Sequence, residues 1–152
     1  LRLGIVTART MAQVLGCALV PVDTLQALAL NAPDHERVVA GLDARRGEIF
    51  AASFCTRGGQ ARRLTEDRAF TPEELARALE SWGGGVVLGS AVGRYGDLLG
   101  RVPGVRLLPE AFCQVRAAMV ALLGQDGREV APFELAPGYL RSAEVQVHGR
   151  PA

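Results

Sequence analysis

The pattern of hydrophobic and polar positions predicts a β-hairpin near the middle of the chain. Residues 38–42 are almost all apolar, as in a strand that is covered on both faces. A second strand follows over residues 48–54. The four residues 44–47 between them end in Gly47, and this length and late glycine are typical of a hairpin loop. We therefore expect the rest of the fold to be organised around this hairpin.

Helices and further strands are predicted on both sides of the hairpin. Asp23 with Gln26, and Thr71 with Pro72 and Glu74, are typical of capped helix starts. Helices are predicted over residues 3–15, 24–30, 72–82, 91–99 and 113–123, and strands over residues 18–22, 61–65, 86–88 and 105–108. The last helix would bury Val115, Met119, Leu122 and Leu123. Strands that alternate with helices indicate an α/β fold, and the hairpin makes its sheet mixed.

Composition narrows the functional classes. The chain has 152 residues, of which 49% are hydrophobic and only 5% aromatic, so one domain with an aliphatic core is expected. The net charge of +1 gives no overall attraction to nucleic acid or to a membrane surface. The three cysteines are far apart in sequence and form no metal or redox motif. This pattern favours a reducing compartment, so we expect a cytoplasmic protein.

A polar cluster is predicted at the tip of the hairpin. Asp43, Arg45, Arg46 and Glu48 would lie together at one end of the sheet. On base rates such a cluster is a solvated tip whose charges limit aggregation. Arginine also pairs with carboxylates and phosphates through two hydrogen bonds, so a docking or anion-binding role is the alternative. Spacing alone does not decide between these interpretations.

A second candidate is the glycine turn after the strand over residues 86–88. Gly89, Ser90 and Gly93 surround the start of a predicted helix, and phosphate groups bind at such positions. The turn lacks the lysine of a P-loop and the glycine spacing of a dinucleotide fingerprint. We therefore favour a tight strand–helix connection with Ser90 as the N-cap, and keep nucleotide binding as the weaker alternative.

Other catalytic groups are scarce in the sequence. The two histidines, His35 and His148, cannot form a helical metal-binding pair and have no cysteine or carboxylate at ligand spacing. No Gly-x-Ser-x-Gly nucleophile motif is present. We expect no metal and no cofactor in this chain.

Several segments together resemble the TsaB (YeaZ) family, the dimerisation subunit of the bacterial tRNA threonylcarbamoyladenosine machinery. Each segment alone is weakly specific, but they cover almost the whole chain in the family's order. They are residues 1–9 with Ala12 and Gly16, residues 19–28, residues 42–50, residues 89–91 with Tyr95, and residues 137–141 with Ala143. The resemblance implies an actin-like ATPase or RNase H-like fold, normally built from two related α/β subdomains.

The resemblance also implies a division of the chain. Residues 1–31 would be the remnant of the first subdomain, residues 32–129 the second subdomain, and residues 130–152 a wrapping segment with a tail. The earlier part of the first subdomain would be missing, including a Gly-Pro-Gly-Ser-Phe-Thr segment. The first helix is apolar on more than one side, which fits a helix that packs on a partner.

The implied role is that of a non-catalytic scaffold. The family pairs with a catalytic paralogue, TsaD, supports a TsaE-like ATPase, and helps to modify adenosine at position ~37 of tRNA. ATP and metal would be bound only by those partner subunits, tRNA would be contacted indirectly, and the chain alone would form a homodimer. The partner interface would lie on the first helix, through Leu1, Ile5, Ala8, Arg9 and Ala12.

Two other functions remain open from the sequence. One is an enzyme, either an M22-type peptidase or a small nucleotide hydrolase, based on the glycine turn and on an older family label. The other is a module that contacts tRNA directly through exposed arginines. With a net charge of +1, such binding would be weak and steeply salt-dependent. The arginines concerned are Arg45, Arg46, Arg62, Arg63 and Arg141.

Overall fold

The computed structural model describes residues 2–136 and shows a mixed six-stranded sheet flanked by helices. The helices are α1 (Arg2–Leu15), α2 (Thr24–Ala29), α3 (Pro72–Ser81), α4 (Ser90–Leu99) and α5 (Ala117–Gln125), with a 3₁₀ turn at Glu110–Phe112. The strands are β1 (His35–Arg45), β2 (Glu48–Arg57), β3 (Gln60–Arg63), β4 (Arg68–Phe70), β5 (Gly85–Leu88) and β6 (Val105–Leu107). The α/β class and the mixed sheet predicted from the sequence are confirmed.

Strand β1 occupies the centre of the sheet. The strand order is β3-β2-β1-β5-β6, with β2 antiparallel to β1 and β5 parallel to it. Strand β4 pairs with the first part of β2 and β3 pairs with the last part, so the two lie along the same edge. The sequence pattern did not predict β4, because three residues carry no readable alternation and the strand forms only by pairing with β2.

Two apolar clusters cover the two faces of the sheet. One joins α2 to the sheet through Leu25, Leu28, Val38 and Phe54. The other packs α3 and α4 on the opposite face and includes Val39, Ile49, Leu75, Leu79 and Leu99. Residues 38–41 are buried on both sides, which confirms the covered strand predicted from their apolar run. This two-sided burial fixes the register of the central hairpin.

The helix starts are largely as predicted. Thr71 and Glu74 form a complete capping box, in which each side chain binds the other residue's backbone N–H. Asp23 caps α2 by accepting a hydrogen bond from the Gln26 N–H at 2.7 Å. The Gln26 side chain does not complete a second box, since its amide donates instead to the Ala61 carbonyl at 2.8 Å. It therefore ties α2 to β3 at the edge of the sheet.

Two predicted elements are wrong. Residues 18–22 form no strand, and only Leu19 makes a single bridge to Val130. The predicted helix over 113–123 begins only at Ala117, and both Val115 and Leu122 are exposed.

The side chain of Asn31 explains the late start of α5. It is buried, and its amide donates to the carbonyls of Phe112 at 2.9 Å and Gln114 at 2.7 Å. These two hydrogen bonds hold the backbone at Phe112 and Gln114 in its course before the helix. The segment before α5 therefore stays outside the helix.

Helix α1 lies apart from both apolar clusters, since neither contains an α1 residue. It ends where predicted, at Gly16 with φ +65°. Its contact with the rest of the chain includes hydrogen bonds from Arg9 to the carbonyls of Phe133 and Leu135. Within residues 2–136, no helix combines the length and the apolar character that a membrane span needs.

The predicted division into residues 1–31, 32–129 and 130–152 stays a prediction. Helix α2, which that division assigns to the first part, shares a core with β1 and β2. Leu1, the motif at residues 137–141 with Ala143, and His148 lie outside the described residues.

Candidate functional site

The turn of the central hairpin contains fewer residues than predicted. Strand β1 continues to Arg45, which pairs with Glu48 across the tip, so only Arg46 and Gly47 form the turn. Arg45, Arg46 and Gly47 all have positive φ, at +61°, +53° and +82°. Only the glycine adopts this conformation without strain, and each non-glycine residue costs about 1–2 kcal/mol. The sequence pattern predicted the Gly47 conformation and missed the two arginines.

Asp43 holds the tip in this conformation. Its Oδ1 accepts a hydrogen bond from the Arg45 N–H at 2.9 Å, beside a shift in register between Asp43 and Arg45. The side chains of Arg45 and Arg46 are exposed beyond this turn. The structure therefore brings the predicted polar cluster together at one end of the sheet.

The glycine turn meets this cluster. The Asp43 N–H donates to the Ser90 Oγ at 2.9 Å, and Arg94 pairs with the Asp43 carboxylate at 3.2 Å. Strands β1 and β5 are parallel neighbours, so their carboxyl ends lie side by side. Ligands bind at such ends in many α/β folds. The two sites predicted separately are thus one site, which we call the tip site: Asp43, Arg45, Arg46, Glu48, Ser90 and Arg94.

Arg94 was not predicted from the sequence. It lies one helical turn after Ser90, so a helix starting at Ser90 places both residues on the same face. This spacing is the signal that could have identified it. The guanidinium also lies 5.6 Å from the centroid of the Tyr95 ring. Arg94 therefore links α4 to the hairpin.

The prediction of Ser90 as an N-cap is wrong. Gly89 is the N-cap and makes no side-chain hydrogen bond, while the Ser90 hydroxyl is used by Asp43. A Cβ on Gly89 would lie 2.1 Å from the Gly41 carbonyl oxygen, so glycine is required for packing. Gly93 is exposed, with no atom within 4 Å of an added Cβ. Nucleotide binding at Gly89, Ser90 and Gly93 stays a prediction.

Helix α1 presents two different faces. Ala12 is 5% exposed, and Ile5, Ala8 and Arg9 are partly buried. Leu3, Val6, Met11 and Val14 are apolar and exposed away from this side, and Leu15 is exposed at the end of the helix; we call these five residues the α1 apolar face.

The predicted interface residues Ile5, Ala8, Arg9 and Ala12 are therefore not the ones that the structure leaves most exposed. Leu1, also predicted, lies outside the described residues. The sequence showed that the helix is apolar on more than one side, but not which side packs on its own chain.

The carboxyl with a shifted pKa lies away from these sites. Burial raises the pKa of Asp67 above its ordinary value, and the hydrogen bond from Arg63 opposes this shift. Arg63 also pairs with Asp23 at 3.2 Å and lies over the Phe54 ring at 4.8 Å. Arg63 is therefore engaged in structural contacts rather than free to contact tRNA. In the described part of the chain, no three His, Cys, Asp or Glu residues are grouped as metal ligands.

The family of this chain is identified by its match to a model of a known protein family. A family model described as "TsaD: tRNA N6-adenosine threonylcarbamoyltransferase" matches residues 1–86, more than half of the chain. The chain belongs to this TsaD family. No curated protein matches it significantly.

Two solved structures show the same fold. YeaZ from Pseudomonas aeruginosa is similar with a TM-score of 0.72 and 23% identity, over 91% of this chain and 67% of that chain. An uncharacterized protein with similarity to peptidase YeaZ, also from Pseudomonas aeruginosa, has a TM-score of 0.71 and 23% identity over 92% and 67%. The expected likeness to the TsaB (YeaZ) family and the actin-like fold are confirmed.

Proposed function

We propose that this chain is a non-catalytic assembly subunit of the machinery that forms N6-threonylcarbamoyladenosine in tRNA. Its partner would be a TsaD-like catalytic paralogue, to which it binds through the α1 apolar face. The link to this modification is supported by the family match, whose description names it. The non-catalytic role follows from the resemblance to TsaB.

The α1 apolar face is the observation that carries the proposal. Leu3 is 80% exposed, Val14 is 78% exposed and Leu15 is 64% exposed. Monomeric soluble proteins rarely expose contiguous apolar patches larger than a few hundred Å², and larger patches mark sites of protein association. The opposite side of the same helix contacts its own chain, where Arg9 donates hydrogen bonds to the carbonyls of Phe133 and Leu135.

The expected contribution of this face follows from its exposure. Complete burial of one Leu or Val side chain stabilises a complex by about 1.5–3 kcal/mol. Since Leu3 and Val14 are each about four-fifths exposed, burial by a partner would contribute roughly 1–2 kcal/mol per residue. Loss of both should therefore weaken the complex by about 30-fold to 1,000-fold.

The test combines the chain with the TsaD-like subunit of the same genome and measures mass by light scattering after size exclusion. We expect a one-to-one complex that replaces the separate species. The double variant Leu3→Ser with Val14→Ser should lose it, whereas Val120→Ser on α5 should retain it, because Val120 is exposed on a different helix. A homodimer that persists in the presence of the TsaD-like subunit would contradict the proposed partner.

A second measurement tests the non-catalytic role. The purified chain is incubated with ATP, and separately with a mixture of peptides, and product formation is followed over time. We expect turnover no faster than in a buffer control. Turnover that is lost in Ser90→Ala would instead establish a nucleotide hydrolase or a peptidase at the tip site.

A further inference from the structure

A cleft of about 420 Å³ lies at the end of the sheet opposite the tip site. It is formed by the start of β1, the turn between α3 and β5, and the start of β6. Its lining includes His35, Glu36, Arg37, Trp82 and Arg106 together with a run of glycines. We call it the glycine cleft. None of the residues assigned to the tip site or to the α1 apolar face lines it.

Close backbone packing shapes the floor of the glycine cleft. A Cβ on Gly84 would lie 2.3 Å from the Gly104 carbonyl oxygen, and a Cβ on Gly104 would lie 3.0 Å from the Gly83 carbonyl oxygen. Gly83, Gly84 and Gly104 all have positive φ, between +77° and +84°. The two turns can approach this closely only because they carry no side chains. The floor of the cleft therefore consists of backbone atoms, and the charged side chains lie at its sides.

The walls of the cleft carry two guanidinium groups. Arg37 lies over the Trp82 ring, with its Cζ 5.6 Å from the ring centroid, and this contact limits its movement. Arg106 contacts the His35 Nε2 at 2.9 Å. A guanidinium has only donors, so Nε2 is the acceptor in this contact. The one acidic residue of the lining, Glu36, pairs with Arg57 at 3.0 Å.

We infer that the glycine cleft binds the phosphate group of a nucleotide. Its charged donors are two guanidinium groups, which match phosphate oxygens through paired hydrogen bonds. The cleft is open to solvent and its volume exceeds that of a phosphate alone, which leaves room for the adjoining sugar and base. The nucleotide is either free or part of an RNA chain. This inference does not depend on the proposed partner, because the lining residues named above all belong to this chain.

The test uses the chain alone with two probes, ADP and an unmodified tRNA transcript. ADP binding is measured by calorimetry, and tRNA binding by fluorescence anisotropy at several salt concentrations. Arg106→Gln is the main variant because Arg106 is exposed, so we expect its replacement to leave the fold intact; Arg37→Gln is the second. The matched control is Arg128→Gln, since Arg128 is exposed after α5 and does not line the cleft.

Each source of the phosphate predicts a different result. If the nucleotide belongs to RNA, each cleft variant weakens tRNA binding about five-fold or more and lowers the salt slope by about one, while the control changes neither. If the nucleotide is free, the variants lose ADP binding and tRNA binding stays unchanged. The inference is overturned if neither probe binds, or if Arg106→Gln and Arg128→Gln have equal effects on both probes.

Discussion

Replacing Gly89 with alanine tests whether this glycine is kept for packing. Gly89 has φ +110° and ψ 177°, a conformation that side-chain-bearing residues almost never adopt. The added Cβ would also lie 2.1 Å from the Gly41 carbonyl oxygen and 2.9 Å from Leu28. Both Gly41 and Leu28 are buried, so neither can move away without disturbing the sheet core.

The expected loss of stability in Gly89→Ala is the sum of two free-energy costs. Backbone strain of this kind costs about 1–3 kcal/mol, and overpacking of a filled core costs about 1–3 kcal/mol more. We therefore expect Gly89→Ala to lower the free energy of unfolding by about 2–6 kcal/mol, a fall in Tm of roughly 4–24 °C. Gly93→Ala is the matched control in the same helix. It meets no atom within 4 Å and should stabilise α4 by about 0.5–1 kcal/mol.

The measurement is urea denaturation followed by circular dichroism, with thermal melting as a second probe. Both variants change one hydrogen to a methyl group, so the comparison isolates the position of the glycine. If Gly89→Ala is as stable as the wild type, neither the tight contact with Gly41 nor the positive φ of Gly89 constrains this position.

Two further changes test buried polar groups. Asn31→Ala removes two hydrogen bonds to the carbonyls before α5 and should destabilise the chain by about 2 kcal/mol in urea denaturation, whereas exposed Gln125→Ala should have little effect. Asp67→Asn tests the raised pKa, whose main cause is burial. Because the folded-state pKa lies above the unfolded value of 3.8, the Asp67 contribution to stability is largest below pH 3.8 and is lost as the pH rises through the folded pKa. The wild type should therefore gain stability relative to the variant as the pH is lowered from 7 to below 3.8; a difference that does not vary with pH would contradict the shift.

Features fixed by near neighbours in sequence were predictable. The capping box of Thr71 and Glu74 needs only three residues of spacing, and both side chains make the expected hydrogen bonds. The stop of α1 at Gly16 and the positive φ of Gly47 follow from the same local rules. The alternation of β2 was also predictable, because Ile49 and Phe54 are buried in different apolar clusters.

Features that depend on contacts between residues far apart in sequence were not predictable. The tip site depends on a hydrogen bond between Asp43 and Ser90, which are 47 residues apart in sequence. The start of α5 depends on Asn31, more than 80 residues earlier. Helix α1 shows the same limit, since its apolar pattern indicates two buried sides and only the fold shows that Ile5 and Ala12 pack on its own chain. The sequence pattern shows which side chains of a segment are apolar, and contacts in the folded chain decide which of them are buried.

The central position of β1 has a consequence for how the chain reaches its fold. Its antiparallel partner, β2, is joined to it by a two-residue turn, whereas its parallel partner, β5, arrives only after a long intervening segment. Closing a long loop loses more chain entropy than closing a short one, and distant pairings form more slowly. We therefore expect the hairpin to assemble first and to act as the template on which β5 docks. The tip site would then become complete only in the last step, when the start of α4 reaches Asp43.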